Sequence, residues 1–267
     1  MIRPRHFGIA LVCLAALAAT GLMLRASEPP LVLHAPEARS SAATNGRSED
    51  NEVVSSIPDS SSTQTAVPAA SSVATKTAPT SVRIEMLFAS QAPHGNWDPP
   101  YDEACEEASL IIVHHYLEGT PLDAAIMDKD IKDMVAFEES KGLPIDIDMH
   151  ELAAVAEEMF GYRTEVIEGN DVTIARIEQE LARGNPVIVP LAGQDIGNPN
   201  YTGDGPPYHV LVVLGYDSGH FITHDVGTRK GQNYVYRKQV IMDAIHDWNG
   251  SVTTIRSGPR RMLVVTK

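Results

Sequence analysis

The chain has 267 residues, of which 43% are hydrophobic and 21% are charged, so it has enough apolar material for one large domain or two small ones. Its formal net charge is −14, and because such a surface repels phosphate we expect no binding to nucleic acid. Residues 1–80 carry six basic and six acidic side chains, so the excess of acid belongs to residues 81–267. The two cysteines, Cys13 and Cys105, exclude a disulfide framework in the folded part, because Cys13 lies in an apolar N-terminal run.

The N-terminal run is typical of a membrane-targeting segment. Residues 7–24 contain no charged side chain and follow Arg3 and Arg5. Residues 1–25 are therefore either a cleaved signal peptide or an uncleaved anchor, since about eighteen apolar residues just span a bilayer. Basic residues before the run hold that end in the cytoplasm. We therefore expect an extracytoplasmic protein of bacterial type, either membrane-anchored or secreted.

Residues 26–80 have the composition of a linker. Ser, Thr, Ala and Pro make up 33 of these 55 residues, and the segment has no aromatic side chain. Such a segment cannot bury a core, so we predict a disordered tether. The pattern changes at Ser81, where alternating apolar residues begin, and we predict a folded domain over residues 81–267.

The predicted elements of this domain are helical first and extended later. Alternation over residues 82–88 indicates a strand. Helices are predicted at 105–117, 121–141, 148–160 and 171–183, with a strand at 162–168. Further strands are predicted at 187–191, 209–215, 220–223, 234–237 and 262–266, with a short helix at 242–248. Because helices precede strands and do not alternate with them, the sequence predicts an α+β fold with an antiparallel sheet.

Cys105 lies at the predicted N-terminus of an apolar helix. Free N–H groups and the helix dipole stabilise an anion there, and the thiolate is the nucleophilic form of cysteine. Glu106 and Glu107 follow directly, and their charges disfavour a thiolate unless they point away. A lone cysteine is more often a buried, inert residue. Cys105 is therefore a candidate nucleophile on position alone.

A thiol nucleophile needs a base, and the base needs an orienting group. His209 begins one predicted strand and Asp225 ends the next, and residues 217–219 join the two. Adjacent antiparallel strands bring these two ends together. The sequence thus predicts that His209 and Asp225 form a pair.

Three segments resemble a known family: SQAPHGNWDPPYDEACEEAS at residues 90–109, YHVLVVLGYD at 208–217 and HDVGT at 224–228. Together they are similar to the peptidase-like branch of the bacteriocin-processing (double-glycine leader) cysteine peptidases, in the papain-like group. The resemblance implies a papain-like fold with Cys105 as nucleophile, His209 as base and Asp225 as orienting acid. It also implies that Gln91 is the side-chain donor of the oxyanion hole, although the loop between Gln91 and Cys105 is longer than in familiar papain-like enzymes.

Other histidines compete for these roles. His224 is an alternative base, but it should point to the opposite face of its strand from Asp225. His114 and His115 lie on the helix that begins at Cys105, and we expect at least one of them to pack in the core.

No metal or cofactor is predicted. The acidic pattern at residues 128–133 lacks the glycine and terminal glutamate of a calcium loop, so it indicates a solvated helix face. His150 and Glu151 have no second histidine four residues on, which argues against zinc peptidase chemistry. Trp97, Tyr101 and Tyr208 either line a substrate cleft or pack in the core.

Our first hypothesis is a thiol hydrolase, a cysteine peptidase that cleaves a peptide or another amide through an acyl-enzyme on Cys105. Its partners would be a peptide or protein substrate and, through the N-terminal segment, the membrane. Two alternatives remain open: a catalytically inactive, membrane-tethered binding module, and an acyltransferase of the same fold.

Overall fold

A computed structural model describes residues 79–267 of the chain. The predictions for residues 1–25, and for nearly all of residues 26–80, lie outside the described residues. Within the described part, no helix is long and apolar enough to cross a membrane.

The described residues form five α-helices and seven β-strands. The helices are α1 (Cys105–Glu118), α2 (Ala124–Lys141), α3 (Met149–Phe160), α4 (Ile174–Ala182) and α5 (Lys238–Ala244). The strands are β1 (Val82–Arg83), β2 (Arg163–Glu168), β3 (Val187–Ala192), β4 (Tyr208–Tyr216), β5 (His220–His224), β6 (Tyr234–Arg237) and β7 (Arg261–Thr266). α3 begins with the predicted capping box. The side chain of Asp148 accepts from the backbone N–H of Glu151, and the side chain of Glu151 accepts from the backbone N–H of Asp148.

All strands belong to one antiparallel sheet with the order β2-β7-β3-β4-β5-β6, and β1 pairs with the end of β4. The predicted α+β class is confirmed. β4, which begins with Tyr208 and His209, is an inner strand of this sheet, because β3 and β5 flank it.

The sheet separates two apolar cores. Val210 and Val212 of β4 pack in the core that includes α1, α2 and α3, whereas Leu211 and Val213 pack in the core that includes α4 and α5. All nine residues of β4 are buried, which explains why its sequence is a continuous apolar run. A strand packed on both faces is a rigid support for a side chain at its end.

The bounds of two elements differ from the predictions by four residues or more. The strand predicted over residues 82–88 is limited to Val82–Arg83, which pairs with Gly215 and Tyr216 of β4. The rest of that edge of β4, from Val213 back to Tyr208, is paired with β3. The helix predicted over 242–248 is α5, which ends at Ala244. Ile245 forms a bridge to Leu191, so tertiary pairing draws the chain out of the helix.

Candidate active site

Cys105 is the first residue of α1 and is 5% exposed, so the helix begins where the sequence predicts. α1 packs against β4, and Ser109, one turn later, donates a hydrogen bond from Oγ to the carbonyl of Val210 over 3.3 Å. Since Val210 follows His209, this contact brings the start of α1 next to the start of β4.

His209 and Asp225 are joined by a hydrogen bond. The distance from Nε2 of His209 to Oδ1 of Asp225 is 2.9 Å, and both side chains are almost completely buried. β4 and β5 form the predicted hairpin, which places these residues at the same end of the sheet. Because Nε2 is engaged by Asp225, Nδ1 is the ring nitrogen that is free to exchange a proton with a thiol.

The carboxylate of Asp225 is held by four further donors. Tyr201, Tyr236 and Asn198 donate to Oδ2 over 2.8, 2.5 and 2.8 Å, and the backbone N–H of Gly227 donates to Oδ1 over 3.1 Å. Burial alone would raise the pKa of Asp225, but His209 and the two tyrosine hydroxyls outweigh it and lower the pKa to about 2. The acid is therefore ionised and fixed at neutral pH.

Sequence reasoning did not find Asn198, Tyr201 or Tyr236. Two of them lie in the loop between β3 and β4 and the third lies in β6, so no short motif joins them to Asp225. The only sequence signal is the polar, glycine- and proline-containing stretch at residues 197–207, which is typical of a functional loop.

Glycines allow the chain to pass close to this pair. A Cβ atom at Gly193 would lie 2.8 Å from Cβ of His209, and one at Gly227 would lie 2.8 Å from Cε1 of the same ring. A Cβ atom at Gly231 would lie 1.7 Å from the carbonyl oxygen of Asp225. These positions have no room for a side chain, so the glycines fix where His209 and Asp225 lie.

Gln91, Cys105 and His209 line one cavity of about 600 Å³, here called the cleft. Trp97, Tyr201 and Tyr208 also line it, together with Asp102 and Glu103 and with Arg229 and Lys230. Tyr101 does not line the cleft and instead donates its hydroxyl to Asp128. Three of the four predicted site residues therefore lie at one concave surface with room for a ligand, and the fourth, Asp225, contacts His209.

Gln91 is 3% exposed and is anchored by its backbone N–H, which donates to the carbonyl of Val226 over 3.0 Å. Its side-chain Nε2 donates to the carbonyls of Tyr101 and Asp102 over 3.0 and 3.3 Å. Among the described residues, Oε1 of Gln91 has no hydrogen-bond partner. Gln91 thus lies at the cleft, with its amide directed to the loop before Cys105.

The thiol of Cys105 faces a carboxyl group. Its Sγ donates a hydrogen bond to Oε2 of Glu106 over 2.9 Å. Burial raises the pKa of Cys105 well above its usual value, and the charges of Glu106 and Glu107 raise it further. The helix N-terminus was expected to favour a thiolate. In this structure it does not, because the desolvated thiol has a buried carboxyl group and not a cation as its partner.

The other histidines have structural partners. His224 donates from Nε2 to the carbonyl of Met86 over 3.2 Å and accepts at Nδ1 from the backbone N–H of Asn233 over 3.2 Å. Its burial lowers its pKa to about 4, so it is a neutral core residue. His115 bonds to Thr120 and Asp130.

The remaining acidic patterns are also structural. Asp128 and Asp133 pair with lysines of the same helix. His150 lies 3.0 Å from Glu168 and is half-exposed. Among the residues that the structure describes, no group of three or more His, Cys, Asp or Glu side chains could hold a metal ion.

The chain is similar to one protein family and to a solved structure. The model of the Peptidase_C39 like family matches residues 84–254, which is more than half of the chain. A crystal structure of a Bacillus anthracis protein described as a C39-like peptidase is 13% identical, with a TM-score of 0.47, and the alignment covers 70% of this chain and 98% of that one. No curated protein sequence matches the chain significantly.

The helices and the antiparallel sheet define a papain-like α+β fold. The chain belongs to the Peptidase_C39 like family.

Proposed function

We propose that the domain is a cysteine peptidase that hydrolyses a peptide bond through an acyl-enzyme on Cys105. The observation that carries the proposal is the buried hydrogen bond between His209 and Asp225 at the edge of a cleft that Cys105 also lines. An ionised acid that holds Nε2 of an imidazole leaves Nδ1 as the base for the thiol.

In the proposed reaction, Nδ1 of His209 takes the proton of the Cys105 thiol, and Sγ attacks the carbonyl carbon of the scissile bond. The oxyanion is held by the backbone N–H of Cys105 and by the side-chain amide of Gln91. His209 then gives its proton to the leaving amine, and the C–N bond breaks. Water, deprotonated by the same imidazole, hydrolyses the thioester and regenerates the thiol.

For this reaction, two contacts seen in the structure must change. The thiol of Cys105 must turn from Glu106 towards His209, and one N–H of Gln91 must leave a loop carbonyl to reach the oxyanion. Catalytic hydrogen bonds often form only when substrate is bound. The Cys105–Glu106 contact is also the observation that favours the second candidate, a binding module that keeps the fold without turnover.

A thiol-directed peptide epoxide, incubated with the full chain and followed by peptide mapping, tests the proposal. We expect an adduct on Cys105 that forms faster than on a free thiol and is lost in Cys105→Ala and greatly slowed in His209→Ala. Glutathione at the same pH is the free-thiol reference, and Cys105→Ala is the control for non-specific alkylation. Reaction at the rate of a free thiol, unchanged in His209→Ala, would leave the binding module as the function.

We further propose that the domain acts outside the cytoplasm, held by or released from the apolar segment at residues 7–24. The proposal is supported by the sequence, in which Arg3 and Arg5 precede the uncharged run, because basic residues before such a run hold that end in the cytoplasm. A reporter fused after Lys267 tests the topology, and activity of a cytoplasmic-type reporter at that end would overturn it.

A further inference from the structure

A second cavity, of about 250 Å³, lies beside the cleft and is here called the acidic cavity. It is bounded by α2, by the loop before α1 and by the loop after α2. Asp102 and Glu103 line both cavities, so the two share a wall. Five of the eleven residues that line it are acidic, and no lysine or arginine of the described chain lines it.

Two of these acids are buried without a counter-charge. Glu107 and Glu138 are 3% and 4% exposed, and no donor among the described residues reaches Oε2 of Glu107 or Oε1 of Glu138. Burial raises the pKa of both carboxyls, of Glu138 to about 7. In the free protein the pair retains a shared proton, because two adjacent buried carboxylates repel each other.

Another buried glutamate in the same domain, Glu180, is a comparison for Glu107 and Glu138, because its carboxylate has protein donors. Glu180 is 2% exposed, and it accepts from Arg176 over 3.0 Å, from Arg183 over 2.7 Å and from Asn185 over 3.0 Å. The fold thus satisfies both oxygens of Glu180, whereas it leaves Oε2 of Glu107 and Oε1 of Glu138 without a donor. Buried polar groups that the protein itself does not satisfy are candidates for a ligand.

The shape and chemistry of the acidic cavity favour one class of ligand. Val135, Leu143 and Ile145 give it apolar walls, which suit the methylene stem of a long side chain. The paired carboxyls suit a guanidinium or ammonium head, which would replace the shared proton as their counter-charge. A metal ion is disfavoured, since no three potential ligands are grouped around one point in the described residues.

We propose that the acidic cavity is a specificity subsite that takes the side chain of an arginine or lysine residue of the peptide substrate, with Glu107 and Glu138 as its counter-charges. This inference rests on the proposed function and adds the class of substrate. Asp102 and Glu103 line both cavities, so a peptide bound in the cleft passes directly beside the acidic cavity.

Binding to the full chain carrying Cys105→Ala tests the subsite without turnover. The probes are alanine hexapeptides in which one arginine is moved through the six positions, each paired with its neutral isostere citrulline. We expect one position at which arginine binds at least about tenfold more tightly than citrulline, as for a desolvated charged hydrogen bond. Adding Glu107→Gln and Glu138→Gln should bring that ratio close to one.

Asp133→Asn is the matched control, because it removes one charge from the exposed face of α2 and should leave the ratio unchanged. Thermal melting accompanies each variant, and glutamine at 107 and 138 should not lower the melting temperature, since neither carboxyl forms a salt bridge within the described residues that would be lost. If the double substitution does not fold, Glu138→Gln alone must still reduce the ratio several-fold.

A ratio near one at every position, or a preference for arginine that survives both glutamine substitutions, would overturn the subsite. Hydrolysis of neutral peptides by the unaltered chain is measured separately and bears only on the proposed function. The two proposals can therefore fail independently.

Discussion

Oε2 of Glu106 lies 2.9 Å from Sγ of Cys105, the residue directly before it, and accepts a hydrogen bond from the thiol. Glu106 is completely buried, and its Oε1 accepts from the backbone N–H of Ile147 over 3.3 Å. The candidate nucleophile therefore rests against an acid that is held in place from the other side. This arrangement favours the protonated thiol as long as Cys105 contacts Glu106 and not His209.

The first prediction concerns that contact. Burial is the main cause of the raised pKa of Cys105, and the charge of Glu106 adds to it, while burial also raises the pKa of Glu106 itself. Replacement Glu106→Gln keeps the shape and removes that charge, so we expect alkylation by iodoacetamide, measured across a range of pH, to be several-fold faster wherever Glu106 is ionised. Glu118→Gln removes the same charge from the other end of α1 and should have no effect. Slower alkylation in Glu106→Gln would mean that Glu106 stabilises the thiolate.

The second prediction concerns the donors to Asp225. Tyr236→Phe removes a hydroxyl that donates to Oδ2 over 2.5 Å, which loosens the acid and, through it, His209. We expect kcat to fall about tenfold, the effect of losing one charged hydrogen bond, and the pKa of Asp225 to rise. Tyr234→Phe is the control, since Tyr234 packs on Tyr236 with ring centroids 4.7 Å apart without contacting Asp225. Equal losses in both variants would indicate a packing effect only.

The third prediction concerns Gln91. If it is an oxyanion donor, Gln91→Ala should lower the turnover of a peptide by about 10²–10³. Labelling of Cys105 by the epoxide should change much less, because the thiol and His209 are retained. Turnover and labelling measured side by side decide the role. A parallel loss of both would instead mean that Gln91 holds the loop before Cys105, as its bonds to Tyr101 and Asp102 allow.

The fourth prediction concerns stability and pH. The pKa of Glu138 is raised by burial from 4.5 to about 7, so between these values the folded protein binds more protons than the unfolded chain. The free energy of unfolding should therefore fall as the pH rises from about 4.5 to 7, with up to about 3 kcal/mol coming from this group. Glu138→Gln should flatten the fall in urea unfolding measured across that range. An unchanged slope would exclude the shared proton.

Local patterns in the sequence were enough to predict much of the fold. The helix over Met149–Phe160 follows from the capping box at Asp148, and the β4–β5 hairpin follows from two apolar runs joined by three turn residues. The pairing of His209 with Asp225 then needs only the geometry of adjacent strands.

What the sequence did not predict depends on contacts between distant segments. Asn198, Tyr201 and Tyr236 meet Asp225 only after β3, β4 and β6 have assembled around it. The direction of the Glu106 side chain depends in the same way on Ile147, 41 residues later. No local sequence pattern predicts these contacts, because asparagine, tyrosine and glutamate are also common in loops and on helix surfaces where they make no such contact.

The glycines around the His209–Asp225 pair have a consequence for the tolerance of the chain to mutation. Gly193, Gly227 and Gly231 take no part in the proposed reaction, yet even alanine at any of them would push on the side chain of His209 or on the backbone of Asp225. In a saturation mutagenesis scan scored for activity, these three positions should accept as few substitutions as the reacting residues. Gly219, whose Cβ would meet no atom within 4 Å, should accept many.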